Sequence, residues 1–189
     1  MLSGKIFYFH HTHKVNTMSL NELLLAELKN EAAATRRLLE RVPVAKNDWK
    51  PHPKSMALGR LAMHVAEITE WTAFTLLADE LDFSKIEYKP KDPETVQELL
   101  DKHDSCVAVA VDALQRFDES HYGDLWTLRT GEHIHFSLPK SAVVRSFAFN
   151  HLYHHRAQLG LYLRLLDVPI PGMYGPTADE LEAMAAAKG

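Results

Sequence analysis

Apolar residues recur at helical spacing along four long stretches of the chain, residues 19–42, 56–79, 93–117 and 141–166. In each stretch they lie three or four positions apart and form one stripe, with charged residues away from it, which is typical of an amphipathic helix. The stripe of the first stretch consists of Leu20, Leu23, Leu24, Leu28, Ala32, Thr35, Leu38, Leu39 and Val42. The pattern predicts an all-α fold, a four-helix bundle with a long crossover before its fourth helix.

Residues at the ends of these stretches predict where the helices begin and end. Pro43 ends the first helix, and Ser55 is a favourable N-cap for the second. Asp92, followed by Pro93 at the first helical position, predicts the start of the third. A capping box at residues 177–180 opens a further helix near the C-terminus. The sequence therefore predicts four long helices and one short one.

Between residues 125 and 139 the apolar spacing changes to two, the spacing of a strand. The alternating apolar residues are Trp126, Leu128, Ile134, Phe136 and Leu138. They predict a small hairpin before the fourth helix, turning at residues 130–132. His133 and His135 alternate with them and are predicted to face solvent. Residues 82–91 are polar and are predicted to form an irregular connection.

Composition indicates the class of protein. The 189 residues are 46% apolar and 24% charged, ordinary values for one soluble globular domain. We assign residues 18–189 to that domain. Residues 1–17 show no helical or strand periodicity, so they are predicted to be a flexible extension, or to precede a functional start at Met18.

Net charge and cysteine content limit the kinds of partner and the cellular location that we expect for the protein. The formal net charge of −4 argues against a nucleic-acid partner, and no apolar run is long enough to cross a membrane. Cys106 is the only cysteine, so an intramolecular disulfide is excluded and a cytoplasmic location is expected. Nothing cationic beside Cys106 indicates an activated thiolate, so it is predicted to be a small buried residue.

Histidines in the second and fourth predicted helices are the candidate functional residues. At about 100° per residue, His151 and His155 lie about 40° apart near the apolar centre of the fourth helix, whereas His154 falls about 100° from that centre. His64 lies on the apolar face of the second helix. Unpaired imidazoles are costly in an apolar core, so the inward pair is either hydrogen-bonded or bound to one metal ion. Gln158, one turn further on, is suited to holding an imidazole or a bound water.

Other polar residues near these faces have weaker claims to function. Glu67 lies at the edge of the second helix's apolar face, where it is a base, a support for a ligand, or simply solvated. Arg60 is the basic residue close to His64 on that helix. Arg156 lies at the opposite flank of the fourth helix, which favours a structural salt bridge. His103 approaches the core from the third helix, but no partner spacing supports it as a ligand.

Two motifs carry a resemblance to a known family. They are residues 61–67 (LAMHVAE) and residues 150–159 (NHLYHHRAQL). The likeness continues through residues 162–166 (YLRLL) and 168–176 (VPIPGMYGP). In these residues the chain resembles the DinB/YfiT-like family, over about residues 19–180.

The resemblance implies a four-helix bundle with a three-histidine metal site near one end. Carried over to this chain, the ligands are His64, His151 and His155. The resemblance also implies a divalent metal, most often nickel or zinc with iron or manganese as alternatives, waters that complete its coordination, and frequent homodimers. Ala157 stands where many relatives have glycine, a change from one small residue to another.

Three hypotheses about function follow from such a metal site, and each takes a small-molecule partner. Family relatives that are thiol S-transferases and maleylpyruvate isomerases indicate metal-activated transfer of a low-molecular-weight thiol to an electrophile. Glu67 or Gln158 would then assist proton transfer or orient water. The second hypothesis is a metal-dependent hydrolase with Glu67 as the base. The third is a non-catalytic stress protein that binds a metal or a small molecule.

Overall fold

Helices dominate the structure, a computed structural model that describes residues 18–87 and 89–187. The α-helices are α1 (Leu20–Leu39), α2 (Leu58–Glu67), α3 (Trp71–Leu77), α4 (Val96–Arg116), α5 (Lys140–Val143), α6 (His151–Leu165) and α7 (Ala178–Ala186). The strands are β1 (Glu80–Asp82), β2 (Leu125–Thr130) and β3 (His133–Pro139). None of the described helices is long and apolar enough to cross a lipid bilayer. The extension predicted at residues 1–17 lies outside the described residues.

Helix α1 begins with a capping box. The Ser19 hydroxyl accepts a hydrogen bond from the backbone N–H of Glu22, and the Glu22 carboxylate accepts one from the backbone N–H of Ser19. The predicted apolar stripe is buried except at its start, because Leu20 and Leu23 are 38% and 50% exposed. Leu23 is turned about 100° from the buried Leu24, and Leu20 lies in the first turn at the exposed end of the helix.

The second predicted helix begins later than expected and is interrupted. The expected N-cap at Ser55 is wrong, since the helix begins at Leu58 after Ala57, which provides no side-chain cap. Instead, the N–H of Leu58 donates to the carbonyl of Trp49 at 2.9 Å, so the preceding loop satisfies the helix end. A 3₁₀ turn, Ile68–Glu70, then separates α2 from α3.

The third predicted helix also begins later. Thr95, not Asp92, caps α4, and the Thr95 hydroxyl accepts the N–H of Glu98 at 3.1 Å. Pro93 therefore precedes the helix instead of opening it. The carbonyl of Pro93 accepts a hydrogen bond from the side-chain amide of Asn47 at 2.6 Å, which holds it in the loop.

The fourth predicted helix is continuous but not uniformly α-helical. A π-helical segment, Val144–Asn150, lies between α5 and α6. Because each π turn holds more residues than an α turn, the α-helical rotation of about 100° per residue does not apply to this segment. Within α6 the angles hold, since His151 and His155 are half-buried and His154 is exposed.

The hairpin forms as predicted, and it belongs to a three-stranded sheet in the order β1-β2-β3. Strand β3 runs antiparallel to β2, and β1 runs parallel to β2 on its other side. Residues 80–82 are too few to show strand periodicity, so the sequence does not predict β1. The mostly helical fold is confirmed, and the expected hairpin is part of a three-stranded sheet. The Asp82 carboxylate accepts the N–H of Gly131 at 2.9 Å, which ties β1 to the hairpin turn.

One face of the sheet packs on the helices. Trp126 and Leu128 are buried there, and the indole N–H of Trp126 donates to the carbonyl of Phe74 at 3.1 Å. Ile134 and Leu138 are exposed on β3, which is an edge strand of the sheet. His133 and His135 are exposed as predicted.

Helices α2, α4 and α6 pack around one core. Helix α4 packs against α1, α2 and α3, and α2 packs against α6. The largest buried cluster lies among these helices and includes Leu39, Leu61, Leu99 and Leu159. The side chains of α2 and α6 that face each other therefore lie partly within this core.

His103 is a buried core histidine, as the lack of partner spacing indicated. It is 1% exposed, its Nε2 hydrogen-bonds to the carbonyl of Ala32 at 3.1 Å, and its Nδ1 has no hydrogen-bond partner among the described residues. Burial lowers the pKa of His103, because the imidazolium would lose its hydration.

We expect His103 to make the free energy of unfolding depend on pH. The pKa of His103 is lowered in the folded state. As pH falls through about 6.5, His103 is therefore protonated in the unfolded chain but stays neutral in the folded chain, and the free energy of unfolding decreases. The contribution is at most about 1.4 kcal/mol per pH unit. Urea unfolding with EDTA present, at pH 7.5, 6.5 and 5.5, should show a shallower pH dependence for His103→Gln than for the wild type. Parallel curves would contradict this assignment.

Candidate metal centre

Three imidazoles from two helices converge at one point. His64 extends from α2, and His151 and His155 extend from the first two turns of α6. The Nε2 atoms of His64 and His151 are 3.2 Å apart, and one ligand nitrogen from each of the three residues lies within 4.8 Å of the others. The ring of His64 stands edge to face with the rings of His151 and His155, and those two rings are tilted by 60° to each other. All three centroid distances are 4.7–4.9 Å. The structure thus brings together the histidines that the sequence singled out.

Two of the imidazoles are oriented through their other nitrogen. Nδ1 of His151 lies 3.3 Å from the carbonyl oxygen of Phe147, and Nδ1 of His155 lies 2.8 Å from Oε1 of Gln158. An oxygen of this kind only accepts, so in each neutral ring Nδ1 carries the proton and Nε2 carries the lone pair. Both lone pairs are then available on the side of His64. Gln158 occupies the orienting position that its spacing predicted.

The π-helical segment explains why the carbonyl of Phe147 is available. In an α-helix that carbonyl would accept the backbone N–H of His151, four residues later. Here the N–H of His151 is directed to the carbonyls of Ser146 and Ala148. The carbonyl of Phe147 accepts from the imidazole of His151 instead. The carbonyl of Phe147 could not be identified as a partner of His151 from the sequence, because the pattern of side chains does not show which backbone carbonyls are free to accept a hydrogen bond.

Burial keeps all three imidazoles neutral at physiological pH. The pKa of His64 falls to about 3, first because burial penalises its charged form and then because of the neighbouring His155, His151 and Arg60. Burial is also the largest cause of the lowered pKa values of His151 and His155. A metal ligand must be unprotonated, so no proton has to leave these rings near pH 7.

The fit to a divalent metal can be tested on these distances. Two imidazole nitrogens bound to zinc at tetrahedral angles lie about 3.3 Å apart. The Nε2 atoms of His64 and His151 are separated by 3.2 Å, close to that value. The spacing of this pair therefore suits such an ion, and the ligand nitrogen of His155 lies within 4.8 Å of both.

Glu67 and Arg60 form an ion pair beside His64. Their side chains are about one-fifth exposed, and Nη2 of Arg60 lies 3.5 Å from Oε2 of Glu67. The two candidates therefore lie on the same side of α2 and partly neutralise each other. The predicted catalytic roles of Glu67 and Gln158 remain predictions.

Other histidines do not join the cluster. His154 is exposed, although its ring lies 4.8 Å from that of His155, and His52 is exposed in the loop before α2. His133 and His135 contact each other on β3. Within the described residues, these histidines take no part in a group of three that could hold a metal.

Cys106 is buried on α4, as predicted, and is poorly suited to nucleophilic chemistry. Its thiol is 2% exposed, and Sγ lies 3.7 Å from a carboxylate oxygen of Glu70. Burial, followed by the charge of Glu70, raises the pKa of Cys106 to about 11.

We expect Cys106 to react with 5,5′-dithiobis(2-nitrobenzoate) at least about tenfold more slowly in the folded protein than in the unfolded chain at pH 8, since both its thiolate fraction and its access are reduced. Because the sequence has one cysteine, the absorbance change reports this thiol alone. The same reaction in guanidinium chloride is the control, and equal rates would refute the buried thiol.

Comparison with known proteins identifies the family. Residues 14–187 match the DinB family. The chain belongs to the DinB family. Among curated proteins it is similar to YrdA, an uncharacterised protein of Bacillus subtilis (strain 168), with 27% identity over 158 residues that cover 79% of this chain and 85% of YrdA. The resemblance carried by the two histidine motifs is confirmed.

Crystal structures of DinB-like proteins share the fold of this DinB family chain. The protein from Bacillus cereus ATCC 10987 aligns with a TM-score of 0.60 at 20% identity, over 79% of this chain and 95% of that one. A second, from Bacillus subtilis, aligns with a TM-score of 0.60 at 15% identity, over 78% of this chain and 96% of that one. At these identities the likeness concerns the fold alone.

Proposed function

We propose that this DinB family protein binds one divalent metal ion through His64, His151 and His155. The observation that carries the proposal is the convergence of these imidazoles, with the Nε2 atoms of His64 and His151 separated by 3.2 Å. Imidazole donors without thiolate or carboxylate favour nickel or zinc over manganese, and iron fits less well. The packing of α2 against α4 and α6, and of α1 against α4, supports a four-helix bundle around the site.

The proposed activity is transfer of a low-molecular-weight thiol to an electrophilic carbon. When bound, a divalent ion with three neutral ligands supplies Lewis acidity that lowers the pKa of a thiol or a water molecule. The new bond joins the thiol sulfur to carbon, and the bond from that carbon to its leaving group breaks, with the electron pair going to the leaving group. The thiol proton passes to a base or to solvent. In this proposal Glu67 accepts that proton, and Gln158 holds the ring of His155 through the hydrogen bond to its Nδ1.

The ion pair beside His64 supports a transferase over the alternatives. Low-molecular-weight thiols commonly carry carboxylates, and Arg60 is a cation at the edge of the site, 3.5 Å from Glu67. A thiol carboxylate that pairs with Arg60 would release Glu67 to accept a proton. A metal-dependent hydrolase would use Glu67 as a base and would not need Arg60. A non-catalytic metal or small-molecule-binding protein would need neither residue.

Partner and location follow as part of the proposal. We expect a small-molecule substrate and no nucleic acid, since the net charge is −4. We also propose a homodimer in the cytoplasm, as the family resemblance and the single cysteine suggest.

The discriminating experiment is a pair of assays on zinc- and nickel-loaded protein. Glutathione with 1-chloro-2,4-dinitrobenzene tests transfer, in which a carbon–sulfur bond forms and chloride leaves, and 4-nitrophenyl acetate tests hydrolysis. For a transferase we expect metal-dependent conjugation that Arg60→Gln weakens mainly through KM for the thiol. His154→Gln, which changes an exposed histidine next to the site, is the matched control. Hydrolysis alone would favour the second function, and stoichiometric metal without either activity would favour the third.

A further inference from the structure

A cavity lies on the far side of α6 from the histidines of the candidate metal centre. It has a volume of about 440 Å³ and lies between α6, the end of α1 and the loop before α7. At about 100° per residue, Gly160 on its wall is about 180° around α6 from His151. The cavity is therefore separated from the candidate metal centre by the helix itself.

The wall of the cavity is mainly apolar. Leu38 forms a buried part, Ile170 and Met173 of the loop are half-buried, and Leu161 is exposed at the rim. A volume of several hundred cubic ångströms with an apolar lining is typical of a small-molecule site.

Gly160 keeps one wall of the cavity free of a side chain. It lies within α6, where glycine weakens a helix relative to alanine. A Cβ at this position would meet nothing within 4 Å, so neither packing nor backbone conformation requires glycine. The residue instead leaves the cavity wall open.

The charges around the cavity are already paired. Arg156 contacts the carboxylate of Glu31 at 2.5 Å and the hydroxyl of Tyr174 at 2.6 Å. Arg164 contacts the carboxylate of Asp179 at 2.6 Å. A charged ligand would have to break one of these pairs, whereas an uncharged ligand would not.

We propose that this cavity binds one uncharged small molecule with an aliphatic or aromatic body. The lining recognises it by shape and apolar contact, with the ring of Tyr174 at the mouth. The site is independent of the metal centre and of the thiol chemistry proposed for it.

The test uses the uncharged fluorophore N-phenyl-1-naphthylamine and the full chain. We expect saturable binding of one probe per chain, unchanged by EDTA. Gly160→Leu places a side chain in the cavity and should weaken binding at least tenfold, and Leu161→Asp at the exposed rim should weaken it at least threefold without risk to the core. Leu181→Gln removes an exposed apolar side chain of α7 outside the cavity lining and should leave binding unchanged.

The chemical class is tested by competition between 1-octanol and octanoate, which share a chain length and differ in charge. Octanol should displace the probe at a lower concentration. Equal or better displacement by octanoate would overturn the uncharged class. Three results would overturn the site. The first is unsaturable binding, and the second is unchanged affinity in both Gly160→Leu and Leu161→Asp. The third is an affinity that falls as the protein self-associates, because a second copy of the chain would then fill the cavity.

Discussion

His151→Ala is expected to lower zinc or nickel affinity at least about 100-fold, and His64→Ala to do the same. Either change removes one of the two Nε2 atoms that lie 3.2 Å apart, so two imidazoles remain where the fit to an ion rests on three. After loading and gel filtration, elemental analysis should give one metal per wild-type chain and far less in each variant. Competition with a chromophoric chelator would then give the affinities.

His154→Ala is the matched control for this loss. His154 lies on the same helix, next to His155, but is exposed and is not one of the three residues that could hold the ion. Its removal should leave stoichiometry and affinity unchanged. If His154→Ala loses as much metal as His151→Ala, the ion is held by surface histidines and the three-histidine centre is wrong.

Gln158→Leu separates orientation from ligation. The variant keeps all three imidazoles but removes the oxygen that accepts from Nδ1 of His155 at 2.8 Å. Loss of such a partner typically costs about 10–100-fold in metal affinity, so we expect an affinity between those of the wild type and His151→Ala.

Metal should also raise the midpoint of thermal unfolding of the wild type, because it binds the folded state preferentially.

The histidines of α6 could be predicted because their placement is local. His151 and His155 are one turn apart in the same helix, and the spacing alone separates them from His154. The approach of His64 depends on how α2 packs against α6, and only the family resemblance indicated it. The carbonyl of Phe147, which orients His151, could not be predicted, since it depends on the backbone register of the π segment.

The helix ends show the same division between local and tertiary effects. The capping box of Ser19 and Glu22 is local and forms. Ser55 is a good local cap, but the start of α2 is satisfied by the carbonyl of Trp49, which only the folded loop brings there. Strand β1 could not be predicted from its own residues for a similar reason, because the extended conformation of Glu80–Asp82 depends on pairing with β2.

Glu31→Gln is expected to destabilise the fold by about 3–5 kcal/mol, the usual cost of removing one partner of a buried ion pair. Arg156 is 3% exposed, and its guanidinium contacts the Glu31 carboxylate at 2.5 Å. It also donates to the Thr35 hydroxyl at 3.1 Å and to the Tyr174 hydroxyl at 2.6 Å. Without Glu31 the remaining partners are neutral, so the charge of Arg156 would stay buried and uncompensated.

The double variant Glu31→Leu/Arg156→Met distinguishes this cause from lost packing. If the cost of Glu31→Gln comes from the orphaned charge, removing both charges should recover much of the stability, because desolvation of the pair offsets much of its attraction. Asp112→Asn breaks the exposed pair with Arg116 and should cost at most about 0.5 kcal/mol. Urea unfolding measures all three. If Glu31→Gln costs no more than Asp112→Asn, Arg156 is hydrated once its partner is removed, and the prediction of an uncompensated buried charge is wrong.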